Sequence, residues 1–166
     1  MKLLVVGGLG FVGSNLAIHF KKRGWNTWVI DNESKYKGLD FQINLITQES
    51  IPHEKVDIRD KVSVDQYIAS GNFDFVVNCA AQVSFARSVA NPMDDFKINC
   101  EANLNLLESI RNLSPNTAYL YLSTNQVYGL MSSFQVEELE SRFDYVENIS
   151  GIADIPSRKV QQIILE

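Results

Sequence analysis

Residues 3–13 read Leu3-Leu4-Val5-Val6-Gly7-Gly8-Leu9-Gly10-Phe11-Val12-Gly13, and they decide the fold of this 166-residue chain. Four apolar residues precede a cluster of glycines, and apolar residues then continue at helical spacing as far as Phe20. This order predicts a strand, a tight turn and an amphipathic helix.

The glycines of this segment fit two related patterns for binding a dinucleotide. Gly7, Gly10 and Gly13 fit G-x-x-G-x-x-G, and a start at Gly8 fits G-x-G-x-x-G. Glycine lets the backbone turn sharply and approach a pyrophosphate without a Cβ in the way. The helix that begins at Phe11-Val12 directs its N–H groups and the positive end of its dipole toward the phosphates. We therefore expect a dinucleotide at this turn.

An acidic residue ends the second predicted strand. Asp31 follows Gly10 by 21 residues, near the spacing of a carboxylate that binds the adenosine ribose. It would accept hydrogen bonds from both ribose hydroxyls and repel a 2′-phosphate, which favours NAD over NADP; Lys35, four residues on, weakens that preference. The alternative is a glycine turn that serves only packing, with Asp31 as a solvated strand end.

Composition narrows the class of protein. Apolar residues make up 45% and charged residues 21% of the chain, as in ordinary globular domains. The net charge of −5 argues against binding to nucleic acid or to an anionic membrane. The two cysteines and two histidines show no metal-ligand spacing, so we expect no metal site. Together with an N-terminus that enters a strand directly, these features predict a reduced, cytoplasmic protein without a membrane span.

Strands and helices alternate along the chain. The predicted strands are 2–6, 27–31, 55–57, 73–78 and 118–123, and the predicted helices are 11–23, 40–46, 61–69 and 91–112. This alternation predicts an α/β fold with a doubly wound parallel sheet of the Rossmann type, in the order 3-2-1-4-5, and a ligand across the carboxyl ends of the strands. We expect residues 1–130 to form the NAD-binding domain and residues 131–166 an incomplete remainder.

Polar or small residues follow the third and fourth strands. Asp57 is expected to accept a hydrogen bond from the adenine amino group, although Asp57 or Asp60 could instead cap the next helix. Ala80 and Ala81 leave room for the cofactor backbone to pass. Asn99, inside the long predicted helix, could reach the same crevice.

The residues after the fifth strand suggest a reaction. Thr124 can donate to, or accept from, a sugar hydroxyl whose carbon loses a hydride to a nicotinamide. The alternative is that Ser123 and Thr124 are ordinary turn residues.

Taken together, these segments resemble the extended short-chain dehydrogenase/reductase family, the NAD-dependent sugar epimerases and dehydratases. The matching pieces are Gly7-Gly8-Leu9-Gly10-Phe11-Val12-Gly13, Asp31-Asn32, Asp57-Ile58-Arg59, Ala80-Ala81, Asn91-Pro92, Asn99 and Ser123-Thr124-Asn125-Gln126-Val127-Tyr128-Gly129. The resemblance covers roughly residues 1–130. It implies a bound NAD and a nucleotide-sugar substrate, with Ile58, Asn99 and Ser123 among the cofactor contacts.

Within that family, the chain resembles the CDP-paratose (CDP-tyvelose) 2-epimerases. They show Asp-Asn-x-Ser-(Arg/Lys) after the second strand, here Asp31-Asn32-Glu33-Ser34-Lys35, and Gln-Val after the alanines, here Gln82-Val83. The resemblance therefore implies that Asn32, Ser34, Lys35 and Gln82 also contact the cofactor. At Gln126 this chain departs from the lysine of that subfamily.

The resemblance also implies a reaction. A sugar carbon gives a hydride to NAD⁺, and the keto sugar takes the hydride back on its other face, with Thr124 assisting. Dehydratases of the family carry an Asp-Glu pair where this chain has Asn125 and Gln126, and amides do not exchange protons near neutral pH. Dehydration is therefore disfavoured.

The chain lacks the family's Tyr-x-x-x-Lys pair. None of its six tyrosines is followed by lysine four residues later, and the nearest echo is Ile155-Pro156-Ser157-Arg158-Lys159. Two interpretations stay open: an epimerase fragment that is inactive as given, or a non-catalytic NAD-binding module.

Relatives often dimerise through the long helix, here 91–112. Without a substrate domain, we expect exposed apolar surface near strand five and on the helix face formed by 98, 102, 106 and 110.

Overall fold

A five-stranded parallel sheet forms the centre of the computed structural model, which describes residues 1–34, 39–124 and 135–146. The strand order is β3-β2-β1-β4-β5, as predicted. The strands are β1 Lys2–Val6, β2 Asn26–Asp31, β3 His53–Lys55, β4 Phe75–Asn78 and β5 Ala118–Tyr121. The third strand lies two residues earlier than the sequence predicts.

Helices connect the strands. They are α1 Phe11–Lys22, α2 Leu39–Gln48, α3 Lys61–Gly71, α4 Phe85–Ala90, α5 Pro92–Phe96 and α6 Ala102–Leu113, with a π-helical segment Lys97–Glu101 between the last two. The predicted helix 91–112 is therefore confirmed in extent but interrupted by a π turn. The short helix α4 was not predicted.

Alternating side chains of the central strands form a core on each face of the sheet. Leu4 and Val6 pack with residues of α3 and α6, whereas Leu3 and Val5 pack with residues of α1 and α2. All four side chains are at most 1% exposed. Both faces of β1 are thus covered, as expected for a parallel sheet with helices on each side.

The register brings three strand ends together. Val6 of β1 pairs with Ile30 of β2 and with Asn78 of β4. The residues that follow these positions therefore meet at the carboxyl ends of the strands. The strand order reverses here, since β2 lies on one side of β1 and β4 lies on the other. Ligands bind at such a reversal in open α/β sheets.

One prediction about the long helix is wrong. Ala102, Leu106 and Ile110 are buried, because this side of α6 packs in the core with residues of α3 and β4. The exposed apolar side chains of this region include Phe96, Leu104 and Leu107 instead. Exposure near strand five is confirmed at Leu120, Tyr121 and Leu122.

The chain divides into two compact units, Met1–Leu122 and Ser123–Glu166. In the second unit, β6 Val136–Glu138 and β7 Phe143–Tyr145 form an antiparallel pair. The predicted boundary at residue 130 and the segment 156–166 lie outside the described residues. Among the helices that the structure describes, none is both long and apolar enough to cross a bilayer.

Candidate cofactor-binding site

The glycine turn between β1 and α1 depends on close backbone contacts. Gly7 has a φ of +71°, and a Cβ there would lie 2.6 Å from the backbone nitrogen of Ala80. A Cβ at Gly13 would lie 2.3 Å from the carbonyl oxygen of Gly7. The backbone N–H groups of Gly7 and Gly8 both donate to the carbonyl of Ile30, at 2.8 and 3.2 Å. These glycines therefore keep the turn tight against β2 and β4.

The start of α1 suits an anion. Gly10 is the N-cap residue and has no side chain to accept a hydrogen bond from the first turn. The first N–H groups of a helix have no acceptor within the helix and carry the positive end of its dipole. A Cβ at Gly10 would approach only to 3.2 Å of Gly7, so this glycine is less crowded than its neighbours. A glycine-lined helix start of this kind fits a pyrophosphate.

Asp31, the last residue of β2, is fixed by two backbone groups. Its Oδ2 accepts from the N–H of Leu9 at 3.0 Å, and its Oδ1 accepts from the N–H of Glu33 at 2.9 Å. An ionised carboxylate has about four acceptor positions, so each oxygen keeps capacity for a further donor. The side chain lines a crevice, and its chemistry fits a ribose diol.

Asp57 is held by Arg59 and Asn32. The guanidinium of Arg59 donates to both carboxylate oxygens, with the shortest distance 2.6 Å from Nη2 to Oδ2, and Asn32 Nδ2 donates to Oδ2 at 3.2 Å. The hydrogen bond from Arg59 lowers the pKa of Asp57 to about 2. Contact with adenine stays a prediction for Asp57, whose oxygens already have these partners.

Asp60 takes the capping role that the sequence left open. It is the N-cap of α3, and its side chain accepts from the backbone N–H of Val62 at 3.1 Å and from the hydroxyl of Ser63 at 2.6 Å.

Two arginines near the site share one carboxylate. Arg59 Nη1 lies 3.1 Å from one oxygen of Asp94, and Arg87 Nη2 lies 2.6 Å from the other. Both arginines line the crevice, so this ion bridge joins the segment after β3 to helices α4 and α5. Arg59 belongs to the Asp57-Ile58-Arg59 motif, whereas Arg87 belongs to none of the sequence motifs.

The segment after β4 is held by amide side chains. Asn78 Oδ1 accepts from the N–H of Ala80 at 3.0 Å. Asn99 accepts from the N–H of Gln82 at 2.8 Å and donates to its carbonyl at 3.0 Å. The side chain of Asn99 is therefore occupied by the backbone of Gln82, and its predicted contact with a cofactor stays untested.

These elements enclose a crevice of about 340 Å³ at the carboxyl ends of the strands. Ten of the predicted cofactor contacts line it, namely Gly7, Gly10, Asp31, Asn32, Ser34, Asp57, Ile58, Ala80, Ala81 and Gln82. Side chains that the sequence did not single out as ligands also line it, including Leu39, Val56, Arg59, Cys79, Val83, Ser84, Arg87 and Ile98.

The remaining predicted site residues lie elsewhere or are not described. Phe11, Val12, Gly13 and Asn99 are not among the residues that line the crevice. Lys35 lies outside the described residues. Ser123 and Thr124 are exposed residues of the second unit, where their predicted roles stay predictions.

Cys79 is the half-buried thiol of the crevice, and burial raises its pKa to about 11. It is expected to be mostly protonated near neutral pH. Within the described ranges, no three His, Cys, Asp or Glu side chains are grouped as metal ligands.

Comparison with known proteins gives a consistent result. The model of the NAD dependent epimerase/dehydratase family matches residues 3–148. The CDP-paratose 2-epimerase of Salmonella typhi is 37% identical over 151 residues, which are 91% of this chain and 45% of that protein. The chain therefore spans less than half the length of this relative.

Solved structures share the fold. The UDP-Glc/GlcNAc 4-epimerase from Campylobacter jejuni superposes with a TM-score of 0.69 at 26% identity, over 77% of this chain and 38% of that one. The UDP-glucose 4-epimerase of Thermus thermophilus, solved in complex with NAD, gives a TM-score of 0.59 at 34% identity, over 68% of this chain and 34% of that one.

Proposed function

Since the chain belongs to the NAD dependent epimerase/dehydratase family, we propose that it is the NAD-binding part of a nucleotide-sugar epimerase of the CDP-paratose 2-epimerase type. One observation carries this proposal: Asp31 is fixed by the glycine turn at the edge of a crevice of about 340 Å³. The similarity to a CDP-paratose 2-epimerase and the Asp31-Asn32-Glu33-Ser34-Lys35 segment support the choice of a CDP-sugar.

Different residues of the crevice would bind different parts of NAD. Asp31 would accept hydrogen bonds from the adenosine ribose, and the helix start at Gly10 would hold the pyrophosphate. Asp57 and Ile58 would border the adenine. Bound NAD⁺ supplies a hydride acceptor that, once reduced, returns the hydride. A carboxylate at the ribose opposes a 2′-phosphate by charge repulsion, so NAD is favoured over NADP.

The chain's own contribution to proton transfer is limited. Thr124 offers a hydroxyl that can hydrogen-bond a sugar oxygen, but its ordinary form does not take up a proton near neutral pH. None of the six tyrosines has a lysine four residues later. We therefore expect these 166 residues to bind the cofactor without supplying a general base.

The missing tyrosine supports a second candidate function. A non-catalytic NAD-binding module needs the glycine turn and Asp31 but no general base, and the sequence meets both conditions. A sugar dehydratase is less favoured, because Asn125 and Gln126 occupy the positions of its acid–base pair.

Self-association is part of the proposal. Phe96 and Leu104 are more than half exposed and Leu107 is 40% exposed, along the region that the resemblance assigns to a dimer interface. A second copy of the chain would cover these side chains.

Two measurements test the function. Calorimetric titration of the chain with NAD and NADP should show tighter binding of NAD, and equal affinities would contradict the assignment of Asp31. Mass spectrometry of the native protein then separates the two candidates. A mass well above 18.7 kDa, with NAD retained, supports the epimerase, whereas a mass of 18.7 kDa supports the binding module.

A further inference from the structure

Residues 80–84, which we call the β4 loop, form one wall of the crevice. Side chains of α5 and of the π-helical segment hydrogen-bond to this loop. Within the part of the chain that the structure describes, residues 80–84 pair with no strand. Asn99, in the π-helical segment, pairs with both the N–H and the carbonyl of Gln82, at 2.8 and 3.0 Å. The amide of Asn99 thus makes the two hydrogen bonds to Gln82 that the backbone of a neighbouring strand makes in a sheet.

Asp95 of α5 anchors the same loop through a single oxygen. Its Oδ1 accepts from Gln82 Nε2 at 3.0 Å, from Ser88 Oγ at 2.8 Å and from Asn99 Nδ2 at 3.2 Å. The side-chain oxygen of Gln82 in turn accepts from the N–H of Ser84 at 2.6 Å. Hydrogen bonds to an ionised acceptor are stronger than those between neutral groups, so Asp95 is the centre of this network.

The position of the β4 loop in the sheet says which part of a dinucleotide it borders. Asp31 ends β2 and Asp57 follows β3. Both strands lie on one side of β1, and this side takes the adenosine. The β4 loop follows β4, on the other side of β1. It therefore borders the second mononucleotide half, which in NAD carries the nicotinamide.

We propose that Asp95 and Asn99 are positioning residues that fix the β4 loop for the nicotinamide half of NAD. Among the described residues, neither is part of the crevice lining, whereas Gln82, which both of them hold, is. They act through the backbone and side chain of Gln82 rather than by touching the cofactor. The inference rests on the proposed function, because it takes NAD as the ligand.

The test compares whole NAD with AMP, which contains only the adenosine half and one phosphate. Asp95→Ala should weaken the binding of NAD about tenfold, the effect of losing roughly one charge-assisted hydrogen bond, and leave the affinity for AMP within about twofold. Asp95→Asn, which keeps an oxygen acceptor, should recover part of the loss. A general loss of stability would not separate NAD from AMP in this way.

Glu101→Gln is the matched control. Glu101 is an exposed carboxylate in the π-helical segment, and its replacement removes one negative charge without touching the network. It should leave both affinities unchanged. Thermal unfolding of every variant establishes that titrations are made on folded protein. If Asp95→Ala does not fold, Asp95→Asn and Ser88→Ala carry the same comparison, with smaller expected losses of NAD affinity.

The outcomes separate this inference from the proposed function. The inference is wrong, and the proposed function stands, if the unaltered chain binds NAD but Asp95→Ala changes the affinities for NAD and AMP equally or changes neither. The same holds for Asp95→Asn and Ser88→Ala where they replace it. If the unaltered chain binds neither NAD nor AMP, the proposed function fails and the inference fails with it.

Discussion

The carboxylate of Asp31 accepts a hydrogen bond from the backbone N–H of Leu9, 22 residues earlier in the chain, at 3.0 Å. This bond joins the end of β2 to the glycine turn, so the residue expected to bind the ribose and the turn expected to bind the pyrophosphate form one unit. The sequence shows only their spacing. The structure adds that the carboxylate is fixed by backbone groups of the chain itself.

Asp31→Ala should weaken the binding of NAD by about 10- to 100-fold, because a charged acceptor of two ribose hydroxyls is lost. The gap between NAD and NADP should narrow, since the charge that repels a 2′-phosphate is also lost. Paired calorimetric titrations measure both effects. An unchanged preference for NAD in the variant would show that selectivity arises elsewhere.

The two cysteines should differ in reactivity. Cys100 is exposed, whereas Cys79 is half-buried and burial raises its pKa to about 11. At pH 8 only about one Cys79 thiol in a thousand is then ionised, and the thiolate is the reactive form. A thiol reagent should modify Cys100 first. Because Cys79 lines the crevice, NAD should slow its labelling further and leave that of Cys100 unchanged; equal protection of both would contradict the site.

Asp57 should stabilise the fold in a defined pH range. Its pKa falls from 3.8 to about 2, chiefly through the hydrogen bond from Arg59. A carboxyl with a lowered pKa contributes stability that is complete above its ordinary pKa and is lost as the pH falls through the folded value. Asp57→Asn should therefore lower the unfolding temperature at pH 7, with the difference shrinking between pH 4 and pH 2.

The control for that experiment is Asp40→Asn, an exposed carboxylate in the first turn of α2. It should show no comparable change with pH. A destabilisation by Asp57→Asn that persists unchanged at pH 2 would mean that packing, rather than the ion pair, is responsible.

The 166-residue chain should not interconvert CDP-paratose and CDP-tyvelose. General acid–base catalysis contributes about 10²- to 10⁴-fold to a rate, and no Tyr-x-x-x-Lys pair is available to supply it. Product analysis by chromatography, with a full-length CDP-paratose 2-epimerase as positive control, checks this. Measurable interconversion would show that another residue accepts the proton.

Self-association should depend on the exposed side of α6. Leu104→Lys places a charge among side chains that a second copy would cover, and should shift the chain toward monomer in light-scattering chromatography. Val62→Lys, on the exposed side of α3, is the control because it alters a similarly exposed apolar residue. Exposed apolar patches of several hundred Å² commonly mark interfaces. A stable monomer at high concentration before mutation would remove the basis of this proposal.

The central fold could be predicted because local patterns and tertiary structure agree. The apolar runs of β1, β2 and β4 are the innermost strands, and strands buried on both faces appear as continuous apolar sequence. β3 has only three residues, none of them buried, and is one edge of the sheet, so no apolar run marks its position in the sequence. The π turn was not predicted, because its residues Lys97–Glu101 show no pattern that differs from an α-helix.

The site was predictable where a motif dictates the backbone and not where side chains converge from distant elements. Gly7 and Gly13 are required by the turn itself, because a Cβ at either position would lie 2.6 Å or less from a backbone atom. The ion bridge of Arg59 and Arg87 with Asp94 joins residues 35 and 7 positions apart, and spacing gives no sign of it. The burial of Ala102 depends on α3 packing against the same side of α6, which the periodicity of one helix cannot indicate.

The π-helical segment Lys97–Glu101 also preserves the phase of the helix that follows it. Each residue of an α-helix advances the chain by about 100°, and a π turn holds one residue more than an α turn, so it absorbs that residue without rotating the helix that follows. Deletion of a single residue within 97–101 would therefore leave the buried side of α6 facing α3 and would disturb chiefly the pairing of Asn99 with Gln82, which lies inside the turn. In this part of the chain, the loss of one residue would alter the wall of the crevice more than the packing of α6.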